Sequence, residues 1–301
     1  MNAEIETLAD GLAHPQAPDI LPSGEVLFVE TYTGRLTAWG RENGLRTFAD
    51  VGGAPNAVLV GSDDHVYFCQ NGWTVGTWWA PKPKQPGVGR VKLDGSDPEM
   101  IFYTPDPIGL GACHDMTWGA DGRLYFTDSG RFRFDVPIEH VGYIYALAPD
   151  GTVERLIACE YGYPCGIAAE RDGGIAWVEA ASRKLRRWGP DGTVETLTTF
   201  DEGEAPEGMK IDVEGNFWIP FIGARGVVRV VSPRGEVLDE LFIEGRLLNC
   251  VFGEDGLYII DFGLQRVHPN TGGSLKLAHV GVKGQPLFRG AIDAGVKGVR
   301  A

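Results

Sequence analysis

The chain has 301 residues, 43% of them hydrophobic and 23% charged, and a formal net charge of −14. That length is enough for a sizeable core in one large domain or two small ones. The acidic balance argues against a nucleic-acid partner, which needs a basic face, and no run of about 18 apolar residues offers a membrane span.

The first strand-like phrase in chain order is IETLADGL at 5–12. A repeated phrase follows, in which a turn such as Asp-Gly leads into a short alternation of apolar and aromatic residues. It reads GEVLFVE from Gly24, DHVYFCQ from Asp64, DGRLYFTD from Asp121, GGIAWVE from Gly173, EGNFWIP from Glu214 and DGLYIID from Asp255. A second phrase follows each copy: GRLTAW (34–39), GRVKLD (89–94), GYIYAL (142–147), RKLRRW (183–188), GVVRVV (226–231) and LQRVHP (264–269). A third often comes after it, as in PDGTVERLIA, PDGTVETLTT and PRGEVLDELF.

Period-2 alternation bounded by such turns marks hairpins, and no long i, i+3, i+4 run argues for a helix. Repeats of roughly 40–58 residues with about four short strands describe propeller blades. The expectation is therefore all-β: a single six-bladed β-propeller over 1–301. IETLADGL would supply a strand to the last blade beside GGSLKLAHV and close the ring.

A short turn precedes each repeated phrase. The six read Pro15-Gln16-Ala17, Pro55-Asn56-Ala57, Cys113-His114-Asp115, Pro164-Cys165-Gly166, Pro206-Glu207-Gly208 and Leu248-Asn249-Cys250. Equivalence of the repeats would set Gln16, Asn56, His114, Cys165, Glu207 and Asn249 around the channel, or Leu248 in place of Asn249 if the register slips by one. Polar groups facing one another in a narrow channel need partners. A cation serves carboxylate, amide oxygen, imidazole and thiolate alike, and a water chain or the substrate alone is the other reading.

The phrases PEGMKIDVEGNFWI, HDMTWGADGRLYFTDSG and LNCVFGEDGLYIID closely resemble the senescence marker protein, gluconolactonase and luciferin-regenerating enzyme family over nearly the whole chain. The resemblance implies a six-bladed propeller that holds one divalent cation, usually calcium or zinc, and hydrolyses lactones or esters. Where the family usually has Glu this chain has Gln16, and for Asn-Asp it has His114-Asp115. For Pro-Asn-Gly it has Pro164-Cys165-Gly166, and for Pro-Asp-Gly-Met it has Pro206-Glu207-Gly208-Met209.

Hard oxygen ligands suit calcium. His114, Cys165 and Glu207 offer nitrogen, sulfur and oxygen, which favours zinc or another transition metal over calcium. The expected metal set is Gln16, His114, Cys165, Glu207 and Asn249, with Glu207, His114 and Asp115 catalytic. Asp115 would position a hydroxyl or orient His114, or be structural. The Arg that sugar-lactone members carry two residues before Asn-Asp is Ala112 here.

Aromatic residues (Trp73, Trp78, Trp79, Phe132, Phe134, Tyr161 and Tyr163) lie nearby in sequence. They point to a small-molecule substrate less polar than a sugar lactone, with Asn56, Trp73, Arg131 and Tyr163 as candidate contacts and Arg133 as an alternative to Arg131. A metal-free isomerase, lyase or cyclase using His114, Cys165 and Glu207 is the second reading, and a non-enzymatic ligand-binding propeller the third. The remaining histidines, His14 among them, read as turn or surface residues. Five cysteines without a CxxC pair indicate reduced thiols, and MNAEIETLADGLAHPQ lacks an apolar signal segment, so a cytoplasmic location is expected.

Overall fold

The computed structural model describes residues 1–75, 78–103, 111–130, 141–223, 225–263 and 271–293, together with the backbone of 298–300. Among them no α-helix occurs, and Thr31–Thr33 forms a 3-10 turn. Six antiparallel sheets, each a meander of four main strands, form the blades of a six-bladed propeller. The innermost strands are Pro15–Ile20, Pro55–Val60, Cys113–Trp118, Pro164–Ala169 and Leu247–Phe252. That of the fifth blade is broken into Ala205–Pro206 and Lys210–Ile211. Each repeated phrase read from the sequence is the second strand of its blade, as in Val26–Glu30 and Leu124–Asp128.

Period-2 alternation is weak in the two inner strands of each blade because neighbouring blades cover both faces. Val26–Val29, Val66–Gln70 and Leu124–Asp128 are buried throughout. The outer strands alternate or are exposed, as in Val237–Phe242. Trp118, Trp177 and Trp218 are fully buried, and each indole N–H is satisfied: by the Val60 carbonyl at 3.0 Å, Glu179 at 3.1 Å and Asp212 at 2.9 Å.

The ring closes as expected. Ile5–Leu12 pairs with Gly273–Ala278, with Ile5 opposite Ala278 and Leu12 opposite Gly273. One detail of the last blade differs from the reading of its sequence. The strand beside Leu257–Asp261 is Gly273–Ala278, not LQRVHP, and residues 264–270 lie outside the described residues. With its outermost place filled from the N-terminus, that blade needs only three strands from the C-terminal end.

The tail after the last blade runs across the face where the inner strands end. The Gln285 N–H donates to the Ile211 carbonyl and its side-chain amide to the Ala169 carbonyl, at 2.8 and 2.9 Å. The Arg289 guanidinium bonds both carboxylate oxygens of Asp19 and the Val60 carbonyl. Gly284 and Gly290 lie so close to Phe252 and Trp118 that a Cβ would come within 2.4 and 2.5 Å of them. Residues 284–290 therefore touch the end of every inner strand and strap that mouth of the channel, a feature with no motif to announce it.

Candidate active site

At the other mouth, strand register defines the ring. Pro15 pairs with Glu30, Pro55 with Gln70, Cys113 with Asp128, Pro164 with Glu179, Pro206 with Phe221 and Leu247 with Asp261. Acid or amide side chains at the partner positions pin the incoming loops. Ala54 N–H donates to Gln70, Ala112 N–H to Asp128 and Arg246 N–H to Asp261, at 2.9, 2.7 and 2.8 Å. The next residues along the inner strands are Gln16, Asn56, His114, Cys165, Glu207 and Leu248. The sixth equivalent position is thus Leu248, packed in an apolar cluster with Leu12 and Phe28.

Asn249 stands one residue deeper, level with Ala17, Ala57, Asp115, Gly166 and Gly208. Its amide donates to Asp115 Oδ2 at 3.2 Å. Blades three and six are opposite one another, so these two side chains meet on the propeller axis. The glycines make room for them. A Cβ on Gly208 would sit 2.2 Å from the Asn249 amide carbon, and one on Gly166 2.5 Å from the Glu207 carbonyl oxygen.

Above that pair, one ligand atom each from His114, Cys165 and Glu207 lies within 4.8 Å of the other two. They come from three consecutive blades, with His114 Nε2 3.7 Å from Glu207 Oε2. His114 is held from both sides: its carbonyl accepts from the Asn56 amide at 2.9 Å, and its ring meets Tyr163 edge-on at 6.0 Å between centroids. Asn71 in turn donates to Asn56 Oδ1 at 3.0 Å. The Cys165 thiol points to the Tyr163 carbonyl at 3.4 Å, and Tyr163 itself adopts a left-handed φ of 56° just before Pro164. Strain of this kind tends to collect at functional sites.

Burial dominates the electrostatics. It pushes the His114 imidazole down to about 4. Glu207 is pushed up to about 7, by burial and by the Asp115 carboxylate, against a hydrogen bond with Cys165 that pulls it down. The Cys165 thiol is raised by burial and by Glu207. Asp115 is raised by burial, with the Lys210 ammonium, the Met116 N–H and the Asn249 amide opposing. At neutral pH the imidazole is therefore neutral, the thiol protonated and Glu207 close to half ionised. His114 Nδ1 is buried with no hydrogen-bond partner. The His114 imidazole, a thiol and a carboxyl, three donor types that all bind transition metals, fit a divalent ion.

The other expected residues fall as follows. Gln16 is at its ring position, with Nε2 3.4 Å from His14 Nε2. His14 is buried rather than at the surface, its ring 4.5 Å from that of Tyr32 and 4.9 Å from that of Phe262. A histidine next to a proline at the start of a strand reads as exposed until neighbouring rings cover it. Trp73 belongs to the inserted hairpin Thr74–Val75 and Trp78–Trp79, where its carbonyl accepts from Ala80 N–H at 2.8 Å. Trp78 of that hairpin reaches Tyr32 at 4.9 Å. Arg131, Phe132, Arg133 and Phe134 lie outside the described residues. The sequence reading missed Lys210, buried beneath the site and acting on Asp115; a lysine within an apolar phrase, PEGMKI, was the available signal.

A sequence profile described as the SMP-30/Gluconolactonase/LRE-like region matches residues 18–260. The chain belongs to this family. Its fold is similar to that of a luciferin-regenerating enzyme, with a TM-score of 0.78 at 18% identity, covering 96% of this chain and 100% of that one. It is also similar to regucalcin of Agrobacterium tumefaciens, described as a calcium-binding protein, with a TM-score of 0.72 at 18% identity over 93% and 94% of the two chains. An uncharacterized protein of Sulfolobus acidocaldarius is 28% identical over 132 residues, which is 38% of this chain and 48% of that protein. The chain thus spans about half the length of this curated relative. This chain sets nitrogen, sulfur and oxygen donors on three adjacent blades, with the neutral residues Leu248, Gln16 and Asn56 on the other three.

Proposed function

We propose that the chain, as one propeller domain over 1–301, is a metal-dependent hydrolase of a lactone or related ester. His114, Cys165 and Glu207 would hold a divalent ion, zinc or another transition metal in preference to calcium. The observation that carries this is the convergence of three donor atoms from three blades within 4.8 Å. Membership of a family described as SMP-30/gluconolactonase/LRE-like supports hydrolysis, and the calcium-binding relative supports a cation in the channel. The change from hard oxygen donors to a mixed set supports a softer ion here.

An ion at that position supplies Lewis-acid polarisation of the scissile carbonyl. The chain's own groups supply the rest. The Glu207 carboxylate can take a proton from attacking water and return it to the leaving oxygen. Asp115, tied by Asn249 and faced by Lys210, lies beneath the site. Asn56 fixes the His114 backbone, so the imidazole is presented at a set height. Gln16 and the free valences of Asn56 offer amide groups to the ester, and Tyr163 walls the site beside His114. Ala112 in place of a guanidinium, and Tyr163 against His114, support a substrate less polar than a sugar lactone. Five buried thiols, none in a disulfide, accord with a reducing cytoplasm.

The test is metal analysis of the protein purified without chelator, beside Glu207→Gln and Cys165→Ser. Stoichiometric zinc or another transition metal in the wild type, lost in both variants, together with turnover of aryl or alkyl lactones, is the expected result. Absence of metal with none taken up from solution overturns the proposal and leaves metal-free proton transfer by His114 and Glu207. No turnover of any ester despite bound metal leaves a ligand-binding propeller.

A further inference from the structure

Two thiols outside the donor set lie against each other beside it. Cys69 Sγ and Cys113 Sγ are 3.1 Å apart, both fully buried, on adjacent blades. That separation is shorter than a relaxed sulfur–sulfur contact, and the surrounding cluster of Ala17, Ala57, Phe102, Met116 and Phe126 is apolar. Each cysteine immediately precedes a residue that builds the site. Cys113 is followed by His114. Cys69 is followed by Gln70, whose amide accepts from Ala54 N–H and donates to the Gly52 carbonyl, fixing the entry to the strand that carries Asn56.

We propose that Cys69 and Cys113 are a peroxide-sensitive pair whose oxidation to a disulfide shifts His114 and switches the site off. The consequence for the site rests on the reading above that His114 is a working group. The step balances as two thiols and one hydrogen peroxide giving one disulfide and two waters. One sulfur attacks the peroxide O–O bond and becomes a sulfenic acid as the first water leaves. The second sulfur then attacks it, forming the S–S bond and releasing the second water. Neither thiol reaches solvent and burial raises both above the ordinary thiol range, so the oxidant must be small and uncharged and the first step quickens as pH rises. Closing the contact to a bonded separation of about 2.05 Å draws the sulfurs together by about 1 Å. His114 is the residue that follows the moving Cys113 sulfur.

The experiment treats the full chain with hydrogen peroxide and maps peptides under non-reducing conditions. Imidazole resonances are followed in histidine-labelled protein, with His114 assigned from His114→Gln. The expected result is a Cys69–Cys113 crosslinked peptide, a shifted His114 resonance that dithiothreitol restores, and neither effect in Cys69→Ala. Where the untreated protein takes up zinc, uptake falls at least tenfold on oxidation in the wild type and is retained in Cys69→Ala. No crosslink, with oxygen added at Cys165 instead, overturns the proposal. A crosslink that leaves His114 unmoved overturns the switch. Both readouts stand without any bound metal, so failure of the metallohydrolase reading is seen separately.

Discussion

Glu207 and His114 should give the metal-free protein opposing pH dependences that hide one another until one is removed. The carboxyl is raised from 4.5 to about 7 in the folded chain. Between those values the native state holds more protons than the unfolded state, so stability falls as pH rises from about 4.5 through 7. Each pKa unit corresponds to about 1.4 kcal/mol, which makes the full loss about 3 kcal/mol. The imidazole is lowered from 6.5 to about 4. There the unfolded state holds more protons, so stability falls by a similar amount as pH drops from 6.5 through 4. From about 4.5 to 6.5 the two slopes cancel in the wild type.

Glu207→Gln removes the first slope. Relative to wild type it should gain about 3 kcal/mol on going from pH 4.5 to pH 8. His114→Gln removes the second and should gain about 3 kcal/mol, relative to wild type, on going from pH 8 to pH 4. Urea denaturation with chelator present, at half-unit steps from pH 4 to 8, reads both differences directly. If the two differences are flat with pH, or slope in the same direction, the assignment of a neutral imidazole beside a half-protonated carboxyl is refuted.

Zinc at one hundred times its dissociation constant should stabilise the wild type by about 2.7 kcal/mol and leave Glu207→Gln unshifted; an equal thermal shift with calcium would refute the preference for a softer ion. Gly208→Ala should cost about 2 kcal/mol through overpacking, because its Cβ would meet the Asn249 amide at 2.2 Å. An unchanged urea midpoint there would show that Asn249 can move from Asp115 without penalty. Arg289→Ala leaves the Asp19 carboxylate, 1% exposed, without its cation. A loss of about 3 kcal/mol is expected, with faster proteolysis of the tail, and a change within about 0.5 kcal/mol would mean that the strap is held by its backbone contacts alone.

The blades were legible in the sequence because their signals are local. Short apolar runs such as VLFVE or LYFTD and the glycine turns before them depend only on residues a few positions apart, and six copies of one phrase imply six equivalent places. The same equivalence set Gln16, Asn56, His114, Cys165 and Glu207 on one ring. Register at the sixth place was not legible: in LLNC the pairing of Leu247 with Asp261 puts Leu248 on the ring and Asn249 beneath it, and only the partner strand carries that information. Nor could local pattern show that Asn249 would bond Asp115, 134 residues away, or that Lys210 would be buried under Asp115. The contact between Cys69 and Cys113 and the passage of 284–290 over all six strand ends belong to the same class. Closing the ring brings distant segments to one axis, and which side chains meet there is decided by blade order and strand register.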